Sequence, residues 1–336
     1  MTNDFPAALL GEGTLTHFVG LDLGGTRLRA ALAGSTGQII RRASALTERE
    51  NGSHRLVQQI FDIVDQAKQA QEIACIAVGA PGPLDAHTGV LYHPANFTND
   101  DIPLKQLLED RFGVPAHVQN DANVAALGEW QFGGHGDTQH LIYVTVSTGV
   151  GAGIISHGHL LDGFNTTAGE IGHTIVDPDG PKCPWGHQGC IEIICSGTSI
   201  ARAASEALSG GRQSKLLELA GGDRERITAE LVAEAARHGD ELASAVFFHA
   251  ADTLGLAVVN LIHLLSPEVV VIGGGVAQAG ELLFGPVKDR VRRNAMESTT
   301  RGVRIVPPGL GQDAGLVGAV TLAMRQSNPL EAKHGT

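Results

Sequence analysis

Basic residues are scarce in this chain: 24 lysines and arginines among 336 residues, against 36 aspartates and glutamates, for a net charge of -12 at pH 7. A protein that grips a phosphate backbone needs a local basic patch. None is found, which argues against nucleic acid as a partner. Cysteines number only four, Cys75, Cys183, Cys190 and Cys195, unevenly spread, and no basic stretch followed by a leader-length apolar run precedes them. That pattern excludes a disulfide-stapled secreted scaffold and predicts a reduced, cytoplasmic setting. No apolar run approaches the roughly 18 to 20 residues of a membrane span, so no membrane partner is expected. No linker rich in proline or serine divides the chain either.

Glycine, by contrast, is abundant. Its 44 residues are about twice ordinary usage, with neither a collagen-like period nor low complexity, so tight turns and close backbone approaches are expected. The length and a hydrophobic share of 43% predict two domains or one large α/β unit. Alternation predicts strands over 17–23, 27–33 and 37–43, then a helix over 54–70 and a buried strand in "IACIAVGAPGP". A helix over 103–112, the strand "PAHVQ", a helix over 123–132 and strands over 140–146 and 150–156 follow. An irregular stretch to about 190 leads to a helical block over 192–265. The strand "EVVVIGGG", a helix over 277–297, the strand "GVRIVPP" and a helix over 314–325 close the pattern. The first sixteen residues and the last ten or so read as loose ends. The domain crossing is expected near residue 118, giving one lobe of 1–118 plus the C-terminal helix 312–326, and a second of 119–311.

Three glycine clusters carry chemistry. In "GLDLGGTRLRA" the turn Gly24-Gly25-Thr26 joins two strands. Such a turn faces backbone N–H groups outward with no Cβ in the way, a concavity suited to phosphate oxygens. Thr26 adds a hydroxyl, Arg27 a cation, and Asp22 stands where it could hold a hydrated Mg²⁺ against the same phosphates. An ordinary hairpin uses the same letters, but the design recurs in "YVTVSTGVGAGII", with Thr148 and Gly149 at the turn. Two such hairpins a domain apart point to one nucleotide held by two related domains. The run Gly149, Gly151, Gly153 is no dinucleotide fingerprint, because alternation continues through it and no helix follows. The third cluster, Gly273-Gly274-Gly275, ends an apolar strand and opens a helix, a place to receive adenine and ribose against backbone.

Together "DLGGT", "STGVGAG", "VIGGGV" and "DAGLVGA" resemble the phosphate and adenosine elements of the sugar kinase, actin and heat-shock chaperone superfamily. More narrowly, "QNDANVAALGEW" and "AGEIGHTIVDPDG...CPWGHQGCIE" resemble the ROK family of bacterial sugar kinases and repressors, over nearly the whole chain. The resemblance implies two actin-like (ribonuclease H-like) α/β domains, each a mixed β-sheet flanked by helices, with a cleft between them. It implies phosphorylation of the 6-hydroxyl of a hexose with ATP and Mg²⁺. "GAPGPLD" with "PANF" looks most like glucokinases, although "NFTNDDIPL" lacks the tryptophan often found soon after that asparagine. N-acetylmannosamine, N-acetylglucosamine, fructose or allose as substrate, polyphosphate as donor, and a catalytically inactive sugar-binding regulator remain alternatives. The repressor branch carries an N-terminal helix-turn-helix, for which a first strand near residue 17 leaves no room. A homo-oligomer, dimer or tetramer, is expected from the relatives.

The same resemblance implies the site residues. Phosphoryl transfer to a hydroxyl needs a carboxylate to accept its proton, and the family places that base at Asp121, a position that would also suit a helix N-cap. Asn120 and Asn96 would bond sugar hydroxyls. Glu170, His173 and Glu192 would hold hydroxyls near the anomeric end, a task suited to carboxylates, which accept from two adjacent hydroxyls. ROK proteins commonly carry a structural zinc held by that histidine and three cysteines. Here Cys183 and Cys190 remain, but Trp185 stands at the middle cysteine position. Zinc held by His173, Cys183, Cys190 and His187 is the expectation, and a loop held by packing of Trp185 is the alternative.

Overall fold

The computed structural model describes residues 16–48, 52–93, 100–184 and 186–327. The expected loose ends, all but their innermost residues, lie outside the described residues, as do Asn96 and Trp185. The chain forms two compact units. The first comprises the residues up to His135, the segment Asp162–Thr166 and the chain from Gln312 onward; the second comprises Gly136–Leu161 and Thr167–Gly311. The division thus falls after His135 rather than near residue 118. The reason is physical: the strand and helix that follow residue 115 complete the first sheet and its cover.

In the first unit β1 (Phe18–Leu23), β2 (Arg27–Ala33) and β3 (Ile39–Leu46) form an antiparallel meander, followed by α1 (Gly52–Lys68) and β4 (Cys75–Ala80). A small hairpin of β5 (Leu84–Asp85) and β6 (Val90–Leu91), then α2 (Leu104–Phe112), β7 (Ala116–Asn120) and α3 (Asp121–Phe132), complete it. The sheet order is β3-β2-β1-β4-β7, with β4 parallel to both β1 and β7. Burial explains that order. Every residue of β4 is buried, the pattern of a strand covered on both faces. β3 alternates between half-buried and exposed residues, as an edge strand does. Leu56, Ile60, Ile63 and Val64 form the buried stripe of α1. The C-terminal helix Ala314–Gln326 packs on β1, β4 and α3.

In the second unit come β8 (Leu141–Val146), β9 (Val150–Ser156), β10 (His159–Leu160), α4 (Ile191–Cys195), α5 (Gly197–Ser209), α6 (Leu216–Leu219) and α7 (Ala229–Arg237). They are followed by α8 (Glu241–Leu265), β11 (Val269–Gly273), α9 (Glu281–Asn294), α10 (Glu297–Thr300) and β12 (Arg304–Val306). The sheet order is β10-β9-β8-β11-β12, again an antiparallel trio extended by parallel strands. Strand for strand it repeats the first sheet, so the expected pair of mixed sheets flanked by helices is what the chain builds.

The helical block over 192–265 is broken by caps: the side chains of Ser196, Thr228 and Asp240 accept from backbone N–H groups at the starts of α5, α7 and α8. One expectation from composition is corrected. The 25-residue α8 is long and apolar enough to cross a membrane by length and composition alone. It is a core helix instead, with Phe247, Leu254, Val258 and Ile262 buried and α4, α5, α7 and α9 packed on it.

Candidate active site

The first glycine hairpin lies between β1 and β2. Gly24 N–H donates to the Arg27 carbonyl at 3.1 Å, and Thr47 anchors the turn from outside, its Oγ1 donating to the Gly24 carbonyl at 2.8 Å and its N–H to the Thr26 carbonyl at 3.0 Å. Asp22 faces Arg29 directly across the β1–β2 ladder. Arg29 Nε and Nη2 both donate to one oxygen of that carboxylate, Asp22 Oδ2, at 2.9 and 2.5 Å. Arg29 Nη1 lies 3.5 Å from Asp313 Oδ1, and Arg42 Nη1 lies 2.8 Å from Asp313 Oδ2. A Cβ added to Gly315, in the first turn of the C-terminal helix, would sit 3.2 Å from Asp22 Oδ1. The carboxylate is therefore clamped through one oxygen at a helix N-terminus, where negative charge is favoured. A single hard oxygen ligand alongside phosphates is a donor set that fits Mg²⁺.

Asp121 opens α3 at the end of β7 and is half-buried. Its alternative role as N-cap is filled by its neighbour: Asn120 Oδ1 accepts from the N–H groups of Ala122 at 2.9 Å and Asn123 at 3.4 Å. Asn120 Oδ1 is thus engaged in the cap, and its Nδ2 is the group left to meet a sugar hydroxyl. Sequence reasoning missed Gln119, which is buried. Its Oε1 accepts from Asn120 N–H at 2.7 Å and from Asn123 Nδ2 at 3.2 Å, while its Nε2 donates to Asp162 Oδ1 at 2.9 Å. Burial pushes the Asp162 carboxyl above its usual range, opposed by the Gln119 hydrogen bond. No sequence signal marked it: by alternation position 119 shares the face of half-buried His117, opposite buried Ala116 and Val118.

In the second unit the β8–β9 turn is closed by Ser147 N–H donating to the Gly149 carbonyl at 2.9 Å. The turn is braced by α5, whose Gly197 N–H reaches the Ser147 carbonyl at 2.6 Å and whose Thr198 Oγ1 reaches the Thr148 carbonyl at 2.7 Å. Gly274, beyond β11, has φ +89, and a Cβ there would lie 2.3 Å from the Val146 carbonyl oxygen. The cluster Gly273, Gly274, Gly275 is therefore seated directly on the end of β8, beside the second hairpin. Glu170, exposed, precedes the 3₁₀ turn Ile171–His173, and its Oε2 lies 3.8 Å from His173 Nε2. Removal from water raises the Glu170 carboxyl above its usual range; His173 opposes the rise and the Glu192 charge adds to it. Glu192 is in α4. The structure thus brings Glu170, His173 and Glu192 together on one unit and Asp22, Asn120 and Asp121 on the other.

The expected zinc set is not gathered. Cys183 and Cys190 are buried, and the His173 and His187 rings meet edge-on with centroids 6.2 Å apart. Yet among the described residues no group of three or more His, Cys, Asp or Glu side chains is arranged to hold a metal ion. The stretch closes on its own backbone: Cys183 N–H donates to the His187 carbonyl at 2.8 Å, Gly189 N–H to Pro181 at 2.8 Å and Ile191 N–H to Thr174 at 3.0 Å. A tetrahedral site needs four N or S ligands, and Trp185 stands where the resemblance implied a third cysteine.

Comparison with known proteins finds similarity over nearly the whole chain. A family profile described as ROK family matches residues 18–326. The glucokinase of Thermotoga maritima is 35% identical over 305 residues, covering 90% of this chain and 96% of that protein. The glucokinase of Halalkalibacterium halodurans is 37% identical over 326 residues, 95% and 98% of the two chains. A crystal structure of a ROK family glucokinase from Streptomyces griseus in complex with glucose and AMPPNP aligns with TM-score 0.79 at 33% identity, over 92% of this chain and 99% of that one.

Proposed function

This chain belongs to the ROK family, and from that membership we propose that it is an ATP-dependent sugar kinase that phosphorylates the 6-hydroxyl of glucose. The observation that carries the reading is near-full-length similarity to glucokinases at 35% and 37% identity.

In this reading Asp121 accepts the 6-hydroxyl proton as that oxygen attacks the γ-phosphorus of ATP. The O–H bond breaks, the O–P bond forms, and the bond from the γ-phosphorus to the bridging oxygen breaks to release ADP. Glu170, His173 and Glu192 receive sugar hydroxyls, and Asn120 and Asn96 bond others. The turns at Gly24-Gly25-Thr26 and Thr148-Gly149 face the phosphates, and Gly273-Gly274-Gly275 receives adenosine. Mg²⁺, when bound, neutralises phosphate charge; Asp22 is the residue that would hold it, through an oxygen Arg29 does not clamp. Arg29→Ala frees that carboxylate to rotate and is expected to raise the KM for Mg-ATP about tenfold, with the KM for glucose unchanged, in steady-state assays at fixed Mg²⁺.

The direct test is ADP release coupled to an indicator reaction over a panel of hexoses. Glucose is expected to give the highest kcat/KM. Absence of ADP release with every sugar tested overturns the kinase reading in favour of a sugar-binding regulator. Because the stretch over 181–191 closes on backbone hydrogen bonds, a zinc-selective chelator with Mg²⁺ in excess is expected to leave turnover and melting temperature unchanged. A fall in either would show a metal requirement.

A further inference from the structure

We propose that Glu192 is a positioning residue for the second phosphate hairpin as well as a contact for sugar, so that each substrate's site depends on the other through one carboxylate. The inference rests on the assignment of Glu192 to the sugar and of Gly149 to the phosphates. Its own basis is a set of contacts within the second unit. Glu192 Oε2 accepts from Val150 N–H at 3.0 Å. It also fills the space beneath the turn, since a Cβ added to Gly149 would lie 2.5 Å from that oxygen. On the sugar side, a Cβ added to Gly172 would lie 2.1 Å from the Val150 carbonyl oxygen and 3.5 Å from Glu192 Cβ. Glu192 therefore stands against both the 3₁₀ turn that carries His173 and the strand that carries the hairpin. A further bond, Ala152 N–H to the Gly169 carbonyl at 3.0 Å, ties β9 to the residue preceding Glu170.

The consequence follows from the chemistry of that bond. Val150 N–H is the first ladder group after the turn, and an ionised acceptor makes a stronger bond to it than a neutral one. Removing the carboxylate leaves the N–H without its acceptor and opens a space beneath Gly149, so the turn relaxes from a shape that presents N–H groups to phosphate. A residue that served sugar alone would not touch nucleotide affinity.

The experiment is calorimetric titration of the purified full chain with each ligand in the absence of the other, using AMP-PNP with Mg²⁺ in one series and glucose in the second. Glu192→Ala is expected to weaken AMP-PNP binding about tenfold with no sugar present. Glu192→Gln, whose amide oxygen can still accept from Val150 N–H, is expected to hold AMP-PNP affinity within about threefold of wild type while losing glucose affinity. Gly149→Ala, which pushes a methyl into the Glu192 oxygen, is expected to weaken glucose binding several-fold with no nucleotide present. Unchanged AMP-PNP affinity in Glu192→Ala, or unchanged glucose affinity in Gly149→Ala, overturns the proposal. Should Glu192→Ala fail to fold by circular dichroism, the Glu192→Gln and Gly149→Ala titrations decide it. Failure of the wild-type chain to bind glucose at all would instead sink the functional reading, and the AMP-PNP series would still test the hairpin.

Discussion

Asp121→Asn lowers kcat for glucose by about 10²–10⁴-fold while the affinity for glucose measured by calorimetry stays within a few-fold: that is the expected result, and its size follows from what asparagine keeps and loses. The replacement preserves shape and an oxygen able to accept from Ala122 N–H, as Asp121 Oδ1 does at 2.7 Å. It loses the carboxylate charge and with it the capacity to take a proton, the contribution general-base catalysis makes to the barrier. The helix does not depend on position 121 for its cap, because Asn120 supplies it. A modest loss of favourable charge in the first turn, about 0.3–1 kcal/mol, is the expected cost to stability. Turnover within tenfold of wild type would remove Asp121 from the base assignment and direct attention to another carboxylate, with Asp162 the first to try.

Much of the fold could be read from alternation alone. The first two strands run Phe18–Leu23 and Arg27–Ala33, as the pattern predicts, because a strand flanked by glycine turns leaves little freedom in its ends. The third begins at Ile39 and runs to Leu46, later than expected, because Gly37 with φ +81 belongs to the preceding turn. What sequence spacing could not show are contacts made across long stretches of chain. Asp313 and Arg29 are 284 positions apart, yet meet beside Asp22. Glu192 reaches Val150 across 42 positions. The proposed site residues were named by resemblance, whereas their supports, Gln119, Asp162 and Arg29, carry no motif and become visible only when the strands are laid side by side.

Gly318→Ala is expected to lower the melting temperature by roughly 4–8 °C, a large effect for one methyl group, and the reason separates motif from packing. Within "DAGLVGA" the glycines resemble a nucleotide-binding element, which alone would predict loss of binding and no loss of stability. A Cβ at Gly318 would lie 1.8 Å from the Val124 carbonyl oxygen, and one at Gly128, on the facing helix, 2.7 Å from the Gly318 amide nitrogen. The neighbour is helix backbone in each case, so no side-chain rotation relieves the contact. The C-terminal helix must move off α3 and off the buried β1 and β4. Overpacking of this kind costs about 3 kcal/mol, at the upper end of the usual range because backbone must shift. Alanine's better helix propensity, about 1 kcal/mol over glycine, offsets part of this and leaves a net cost of about 2 kcal/mol. At about 2–4 °C per kcal/mol for a unit of this size, the stated drop follows. A wild-type melting curve for Gly318→Ala by calorimetry would mean that the two helices are not in backbone contact in solution, and that the glycine serves the nucleotide instead. Melting lowered as expected, with nucleotide affinity intact at low temperature, would assign it to the packing of the helices.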